Sequence, residues 1–236
     1  MTIDDIKNAD DKTIKSIVTT KLKKNSLTIL EKLIDAEFFI APASVSNHGN
    51  ITGGLARHSV MVTYLFTKLL ELNNIEMSEK DILICGLLHD LCKTKLYTMD
   101  DIPPTVPQLN FFEKLIADKQ LERETIPRQA FQSKSYISEM INWLKSNMKD
   151  AMPVYDKKWQ HVETKPPLEH GVLSLFMAKE MYPNLSIESA AIIRWHMGLF
   201  DLSAQEQRQF GDAATEVPQV LLFANADHQA SVVHNL

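Results

Sequence analysis

The amino-acid sequence predicts an all-α fold. Apolar residues recur at the spacing of an amphipathic helix in several long segments, and no segment sustains the apolar–polar alternation of a half-buried strand. Seven glycines in 236 residues are few, which suits a mostly helical chain. A chain of this length can build one large core, or one core with a sizeable insertion.

The amino-terminal part of the chain is predicted to be helical and then to form a loop. Residues 1–24 are polar and rich in lysine, as is typical of a solvated helix, and a second helix is expected to begin near Ser26. Pro42 then forces the chain to turn, and a loop that contains glycine and asparagine follows from Val45 to Gly54. Residues 1–50 are therefore interpreted as helices that lead into this loop.

Two further helices are predicted before residue 98. Apolar residues from Leu55 to Leu72 recur at helical spacing, and His58 lies on their inward face. Ser78 and Asp81 resemble a capping box, so the next helix is expected to begin there and to end around Lys95–Tyr97.

Prolines interrupt the segment 98–166 repeatedly, and we expect only one helix in it, at about Ser135–Met148. The segment looks too short and too broken to hold much core of its own. We therefore interpret it as an insertion or cap within one domain that covers residues 1–236.

Helical spacing returns in the last part of the chain. Helices are predicted at Leu168–Met181 and at Ile187–His196, the second of them capped by Ser186. A short polar segment around Gln205–Arg208 separates them from a last helix at about Pro218–Val233.

The charge of the chain limits its partners. The formal net charge is −5, which argues against a broad basic face that binds long nucleic acid. A small cationic pocket for a nucleotide or a strand end is compatible with this charge.

The cysteines and the amino terminus indicate the compartment. Cys85 and Cys92 lie about two helical turns apart, too far to bond to each other, and there is no thiolate zinc motif. The amino terminus has no signal pattern, and no stretch has the length of a membrane helix. We expect a cytoplasmic protein without a membrane partner, and a homo-oligomer is compatible with the sequence.

The segment Gly86–Lys93 carries the strongest chemical signal. The apolar run Ile82–Leu88 ends in adjacent His89 and Asp90, and both of these polar groups must be satisfied where they are buried. A hydrogen-bonded pair in the core would satisfy them. A metal site is the better interpretation, because matching residues occur both upstream and downstream.

Six candidate ligands each lie on a predicted helix among apolar neighbours, so that their side chains would enter a core: His58, His89, Asp90, His170, His196 and Asp227. Burying these groups without a cation would be costly. Neutral imidazole and carboxylate suit iron, manganese, zinc, nickel or cobalt. Six ligands exceed what one tetrahedral zinc ion needs, so we predict two ions that share a bridging carboxylate.

The order His…His-Asp…His…His…Asp resembles the HD-domain superfamily of metal-dependent phosphohydrolases, from about Phe38 to Ala230. The most similar groups are the HD domain of bacterial 3′–5′ exoribonucleases and the small HD hydrolases of phages and prophages. The segments that carry the likeness are Phe38–Ser44, Asn47-His48-Gly49, Gly53–Ser59, Cys85–Lys93 and Ile192–Gly198. The resemblance implies a helical bundle and a phosphohydrolase.

The resemblance also implies how the ligands are shared. One ion would be held by His58, His89 and Asp227, with Asp90 bridging to a second ion that His170 and His196 complete. The chain departs from the small-hydrolase pattern at Glu169, where that group usually has glycine. Because Glu169 is next to His170, the resemblance supports the second ion less strongly than the first.

Four further residues are candidates for contact with substrate. Lys93 lies one helical turn from His89 and Asp90, so its ammonium could reach a phosphate oxygen. Arg57 and Arg194 flank ligands and are predicted either to clamp phosphate or to form outward salt bridges. His48 lies in a loop that resembles the rim of the family's active site, where it would contact phosphate or the leaving group or else be exposed.

The expected function is hydrolysis of a phosphomonoester or phosphodiester of a nucleotide or short oligonucleotide end by a metal-activated water. Two alternatives stay open. One is a di-iron oxygenase of the same superfamily, and the other is a catalytically silent HD protein that binds a nucleotide or a protein partner.

Overall fold

The computed structural model describes residues 1–45, 50–99, 101–162, 168–200 and 202–236 and confirms the predicted all-α class. The α-helices in these ranges are α1 Ile3–Lys7, α2 Asp11–Lys24, α3 Leu30–Asp35, α4 Gly54–Asn73, α5 Glu79–Leu88, α6 Lys93–Leu96, α7 Val106–Asp118, α8 Lys134–Lys145, α9 His170–Met181, α10 Ile187–Trp195, α11 Ala204–Glu216 and α12 Gln219–His228. A π-helical turn, Gln229–Val233, continues α12. Two short strands, β1 Tyr97–Thr98 and β2 Gln160–His161, pair with each other. None of the described helices combines the length and apolar character that a membrane crossing requires.

The chain divides into two compact units, and the larger comprises Met1–Tyr97 with Glu163–Leu236. Its central helix is α4, which packs against α5 on one side and α12 on another. Apolar residues of α4, such as Leu55, Val62 and Phe66, are buried at helical spacing in the core of this unit. The helix ends at Asn74, whose left-handed backbone caps the last turn.

Two glycines allow the helices of this unit to approach closely. A Cβ on Gly86 of α5 would lie 2.0 Å from Oγ1 of Thr63 on α4. A Cβ on Gly171 of α9 would lie 2.2 Å from the carbonyl oxygen of Arg194 on α10. Since no side chain fits at either position, these contacts require glycine.

The smaller unit, Thr98–Val162, has a hydrophobic core of its own, so the prediction that this segment holds little core is wrong. Its prolines lie outside the helices or in a first helical turn, and none is in the interior of a helix. Pro107 is in the first turn of α7, where a missing N–H costs nothing, and α7 was not predicted. Phe112 of α7 and Met140 of α8 are fully buried in this core. The role of this unit as a cap stays a prediction.

Capping explains most of the other differences from the predicted elements. The amino-terminal lysine-rich segment forms two helices, because Asp10 caps a new helix at Asp11. The polar segment around Gln205–Arg208 belongs to α11, which begins with a capping box formed by Ser203 and Glu206. Only Phe210 of α11 is buried, so the apolar spacing is too sparse to predict this helix.

Candidate metal centre

The candidate ligands lie at or near the ends of five helices of the larger unit. His58 is close to the beginning of α4, and Asp227 is close to the end of α12. His89 and His196 directly follow α5 and α10, and His170 is the first residue of α9. All of these side chains are buried except that of His170, which is partly exposed.

Two of the histidines also end the helices that precede them. Nδ1 of His89 donates to the carbonyl oxygen of Gly86 at 3.0 Å, and Nδ1 of His196 donates to that of Ile193 at 2.7 Å. In a continuing helix each carbonyl would accept from the backbone N–H four residues later. The ring takes the place of the next turn, so α5 stops before His89 and not at the predicted Lys95–Tyr97.

Four ligand atoms form the first group. They come from His58, His89, Asp90 and Asp227, and all lie within 4.8 Å of one another. Nε2 of His58 is 3.0 Å from Oδ1 of Asp227 and 3.5 Å from Oδ2 of Asp90. Nε2 of His89 is 3.4 Å from the same Asp90 oxygen. A single metal ion could be bound by this set of nitrogen and oxygen atoms.

Asp90 also belongs to a second group, with His170 and His196. Its other oxygen, Oδ1, lies 2.5 Å from Nε2 of His170 and 3.3 Å from Nε2 of His196. One oxygen of Asp90 thus faces each group. The structure brings together all six residues that the sequence singled out as ligands.

The hydrogen bonds of the rings show that these residues fit a cation. Nδ1 of His58 lies 3.0 Å from the main-chain oxygen of Leu236. Because a main-chain carbonyl only accepts, Nδ1 of His58, His89 and His196 carries a proton, and in the neutral form of each ring Nε2 presents a lone pair. Nε2 of His58 and of His89 are 3.3 Å apart, and Nε2 of His196 is a buried nitrogen without a hydrogen-bond partner among the described residues. Such lone pairs repel each other and the carboxylates unless a positive charge lies among them.

The electrostatics of the centre point the same way. Burial opposes ionisation of Asp90 and Asp227, but the pKa of both carboxyls is held below the ordinary value, for Asp90 by Lys93 and neighbouring imidazoles and for Asp227 by His58 and His89. Burial likewise opposes a charge on His89, yet the two carboxylates raise its pKa to about 9. Asp90 and Asp227 therefore stay ionised and favour positive charge between them, supplied by Lys93 and a proton on His89 in the metal-free protein or by a bound cation.

A cavity of about 730 Å³ opens onto both groups and is lined by residues of the larger unit. Lys93 and Arg194 supply positive charge to its lining, and Trp195 and Phe200 contribute apolar surface. Nζ of Lys93 lies 2.5 Å from Oδ2 of Asp90, so the sequence prediction places this amine correctly beside the ligands. Arg194 is bound to Glu169 at 2.7 Å while it lines the cavity.

One predicted substrate contact, Arg57, is not at the centre. The guanidinium of Arg57 binds the carbonyl oxygens of Lys7 and Ala9 and forms an ion pair with Asp11 at 3.2 Å. Arg57 does not line the cavity, because residues of the amino-terminal segment bind its guanidinium. Of the two predicted alternatives, the structure shows the salt bridge. His48 lies outside the described residues.

Sequence reasoning missed two groups that touch the ligands. The sulfur of Cys92 lies 3.2 Å from Nδ1 of His170, and the oxygen of Leu236 orients His58. Cys92 follows Asp90 by two residues, and this closeness was the available signal. A main-chain oxygen leaves no signal in a sequence.

Comparison of the chain with protein-family models, with curated proteins and with solved structures finds no match. The geometry itself is a helical fold with a buried histidine–aspartate cluster, which is compatible with an HD-type metal site and could hold metal ions. Neutral imidazole and carboxylate donors suit first-row transition metals.

Proposed function

We propose that the protein is an HD-type metal-dependent phosphohydrolase that cleaves a phosphomonoester or phosphodiester of a nucleotide or short oligonucleotide. One observation carries the proposal. Asp90 turns one oxygen toward each of two ligand groups, and an ammonium and an open cavity lie beside them. Such a pair of cation positions suits an in-line displacement at phosphorus.

In this proposal two ions bind. His58, His89, Asp90 and Asp227 would hold the first, and Asp90, His170 and His196 would hold the second. The donor set suits iron, manganese, nickel, cobalt or zinc. When bound, such ions lower the pKa of a coordinated water and neutralise charge on phosphoryl oxygens.

The chain's own residues position the substrate. Lys93 forms an ion pair with Asp90. Burial alone would lower the pKa of the Lys93 ammonium, but the negative charges of Asp90 and Asp227 outweigh this effect and raise it, so that Lys93 stays charged. A phosphoryl oxygen that enters the cavity can share this ammonium as a charge-assisted hydrogen-bond acceptor. Apolar residues such as Trp195 and Phe200 would contact the organic part of the ester.

The proposal is tested with protein loaded with manganese, iron, nickel or cobalt and assayed on p-nitrophenyl phosphate, bis-p-nitrophenyl phosphate and short oligonucleotides. We expect turnover that depends on the metal and is lost in His89→Ala but kept in His161→Gln, which removes an exposed histidine of the smaller unit. Absence of turnover at full metal occupancy would overturn the proposal. Oxygen uptake, or nucleotide binding without turnover, would indicate one of the two alternatives.

A further inference from the structure

His170 differs from the other three histidines of the centre in the partner of its Nδ1. The other rings donate from Nδ1 to main-chain carbonyl oxygens, which fix one tautomer. Nδ1 of His170 instead faces the sulfur of Cys92 at 3.2 Å. A thiol can donate a hydrogen bond or accept one, so this partner is compatible with either tautomer of the ring.

The opposite edge of the His170 ring shows why two tautomers matter. Its Nε2 lies 2.5 Å from Oδ1 of Asp90, and because an ionised carboxylate only accepts, this contact is a hydrogen bond when the proton is on Nε2. In that tautomer Cys92 donates to Nδ1, and the ring has no lone pair for an ion. With the proton on Nδ1, the N–H donates a hydrogen bond to the sulfur, and Nε2 is free to act as a ligand.

The sulfur itself is not placed to bind an ion. It lies 3.9 Å from Nε2 of His170, beyond the other ring nitrogen, and Cys92 is in neither group of mutually close ligand atoms. The backbone N–H of Cys92 donates to Oγ of Ser174 at 3.3 Å, which ties the residue to α9, the helix that carries His170. Cys92 is therefore held against the ring, behind the ligand atom.

We propose that Cys92 is a positioning residue that allows His170 to change its tautomer. The second ion position then forms only when an ion binds, and its affinity is lower than that of the first position. This inference rests on the metal binding of the proposed function and concerns only its second ion. Until the second ion binds, His170 keeps Asp90 oriented through a proton. When it binds, Nε2 gives up its proton to water, Nδ1 takes one up from water, and the N–H at Nδ1 donates a hydrogen bond to the sulfur of Cys92.

The first test measures tautomers in the metal-free full chain. Long-range ¹H–¹⁵N spectra of the histidine rings distinguish a protonated Nδ1 from a protonated Nε2. We expect His170 to carry its proton on Nε2, against Nδ1 for His58 and His196. A proton on Nδ1 of His170 in the metal-free protein would overturn the inference. Because this spectrum needs no metal and no turnover, it decides the inference even if the phosphohydrolase proposal fails.

The second test measures the two ion affinities by calorimetry with Co²⁺, with elemental analysis for the number of ions. The variants are Cys92→Ala, Cys92→Ser and a control, Cys85→Ala, which removes the other buried thiol of the chain. We expect Cys92→Ala to lower the affinity for the second ion 10- to 100-fold, which is the usual effect of losing an orienting partner. The affinity for the first ion should change less than about twofold. Serine also donates and accepts, so Cys92→Ser should recover most of the affinity, and Cys85→Ala should behave like the parent.

Equal second-ion affinity in the parent and Cys92→Ala would overturn the inference. If the alanine variant does not fold, the tautomer spectrum of the metal-free parent decides, because it needs no variant. A sulfur-to-cobalt charge-transfer band that the parent shows and Cys92→Ser lacks would make Cys92 a ligand, which also contradicts a positioning role.

Discussion

Replacement of Asp90 by asparagine removes the charge that the two ligand groups share. In the metal-free protein this carboxylate pairs with Lys93 at 2.5 Å, and its side chain is 2% exposed. Removal of one partner of a buried pair leaves the other charge uncompensated and destabilises a protein by about 3–5 kcal/mol. Because the side chain of Lys93 is 15% exposed, water compensates part of the loss, and we expect the lower end of that range. Domains have unfolding free energies of about 5–15 kcal/mol, so the variant should still fold.

The same substitution should abolish stabilisation by metal. An ion present at 100 times its Kd raises the unfolding free energy of the parent by about 2.7 kcal/mol. Asp90→Asn should gain less than about 1 kcal/mol under the same conditions, since both groups lose a ligand. Urea unfolding with EDTA and with Co²⁺ measures both effects, and Asp212→Asn, at an exposed position on α11, is the control. A variant as stable as this control, with the same gain from metal, would refute the reasoning.

Three further predictions follow from the same contacts. The pKa of His89 is raised to about 9 in the folded protein, so protonation of His89 adds stability that is complete below about pH 6.5 and is lost as the pH rises through 9. Urea unfolding with EDTA should show that the unfolding free energy falls by about 3 kcal/mol over this pH range. Metal-loaded protein should show a much smaller fall, because the ion replaces the proton. Lys93→Met should lower kcat/KM for phosphate esters about 10- to 100-fold without changing the number of bound ions. The control Lys95→Met, at an exposed position, should change neither kcat/KM nor the number of ions. Equal activity of the two variants would contradict the proposed contact between Lys93 and the phosphate. Gly86→Ala should lower the unfolding free energy by about 1–3 kcal/mol because its Cβ would overlap α4. Gly211→Ala should raise the unfolding free energy by about 0.5–1 kcal/mol, because its Cβ meets nothing within 4 Å and alanine favours the helix. Scanning calorimetry should therefore show a lower melting temperature for the first variant and a higher one for the second.

The ligand set was predictable from the sequence because each of its members lies among apolar residues with helical spacing. Such spacing shows which face of a helix is buried, and His58 or Asp227 on that face must enter the core. A polar residue in a core needs a partner, so several of them in one fold indicate a shared ion. The adjacent pair His89 and Asp90 then marks the centre, where the two groups meet.

The contacts that sequence reasoning missed depend on which segments lie beside each other. Arg57 flanks a ligand in the sequence, but the amino-terminal segment supplies two carbonyls and Asp11 to its guanidinium. The core of the smaller unit was missed because prolines were interpreted as helix breaks, whereas Pro107 lies in the first turn of α7. Periodicity places a residue on a face, and it does not show which neighbour covers that face.

The central claim is that these imidazoles and carboxylates converge because they bind positive ions. Anomalous X-ray diffraction from crystals grown with Co²⁺, measured on both sides of the cobalt edge, locates such ions directly. We expect one peak among the four ligand atoms of His58, His89, Asp90 and Asp227, and a weaker one beside Asp90 between His170 and His196. Cobalt bound elsewhere, with no peak at either group, would contradict it.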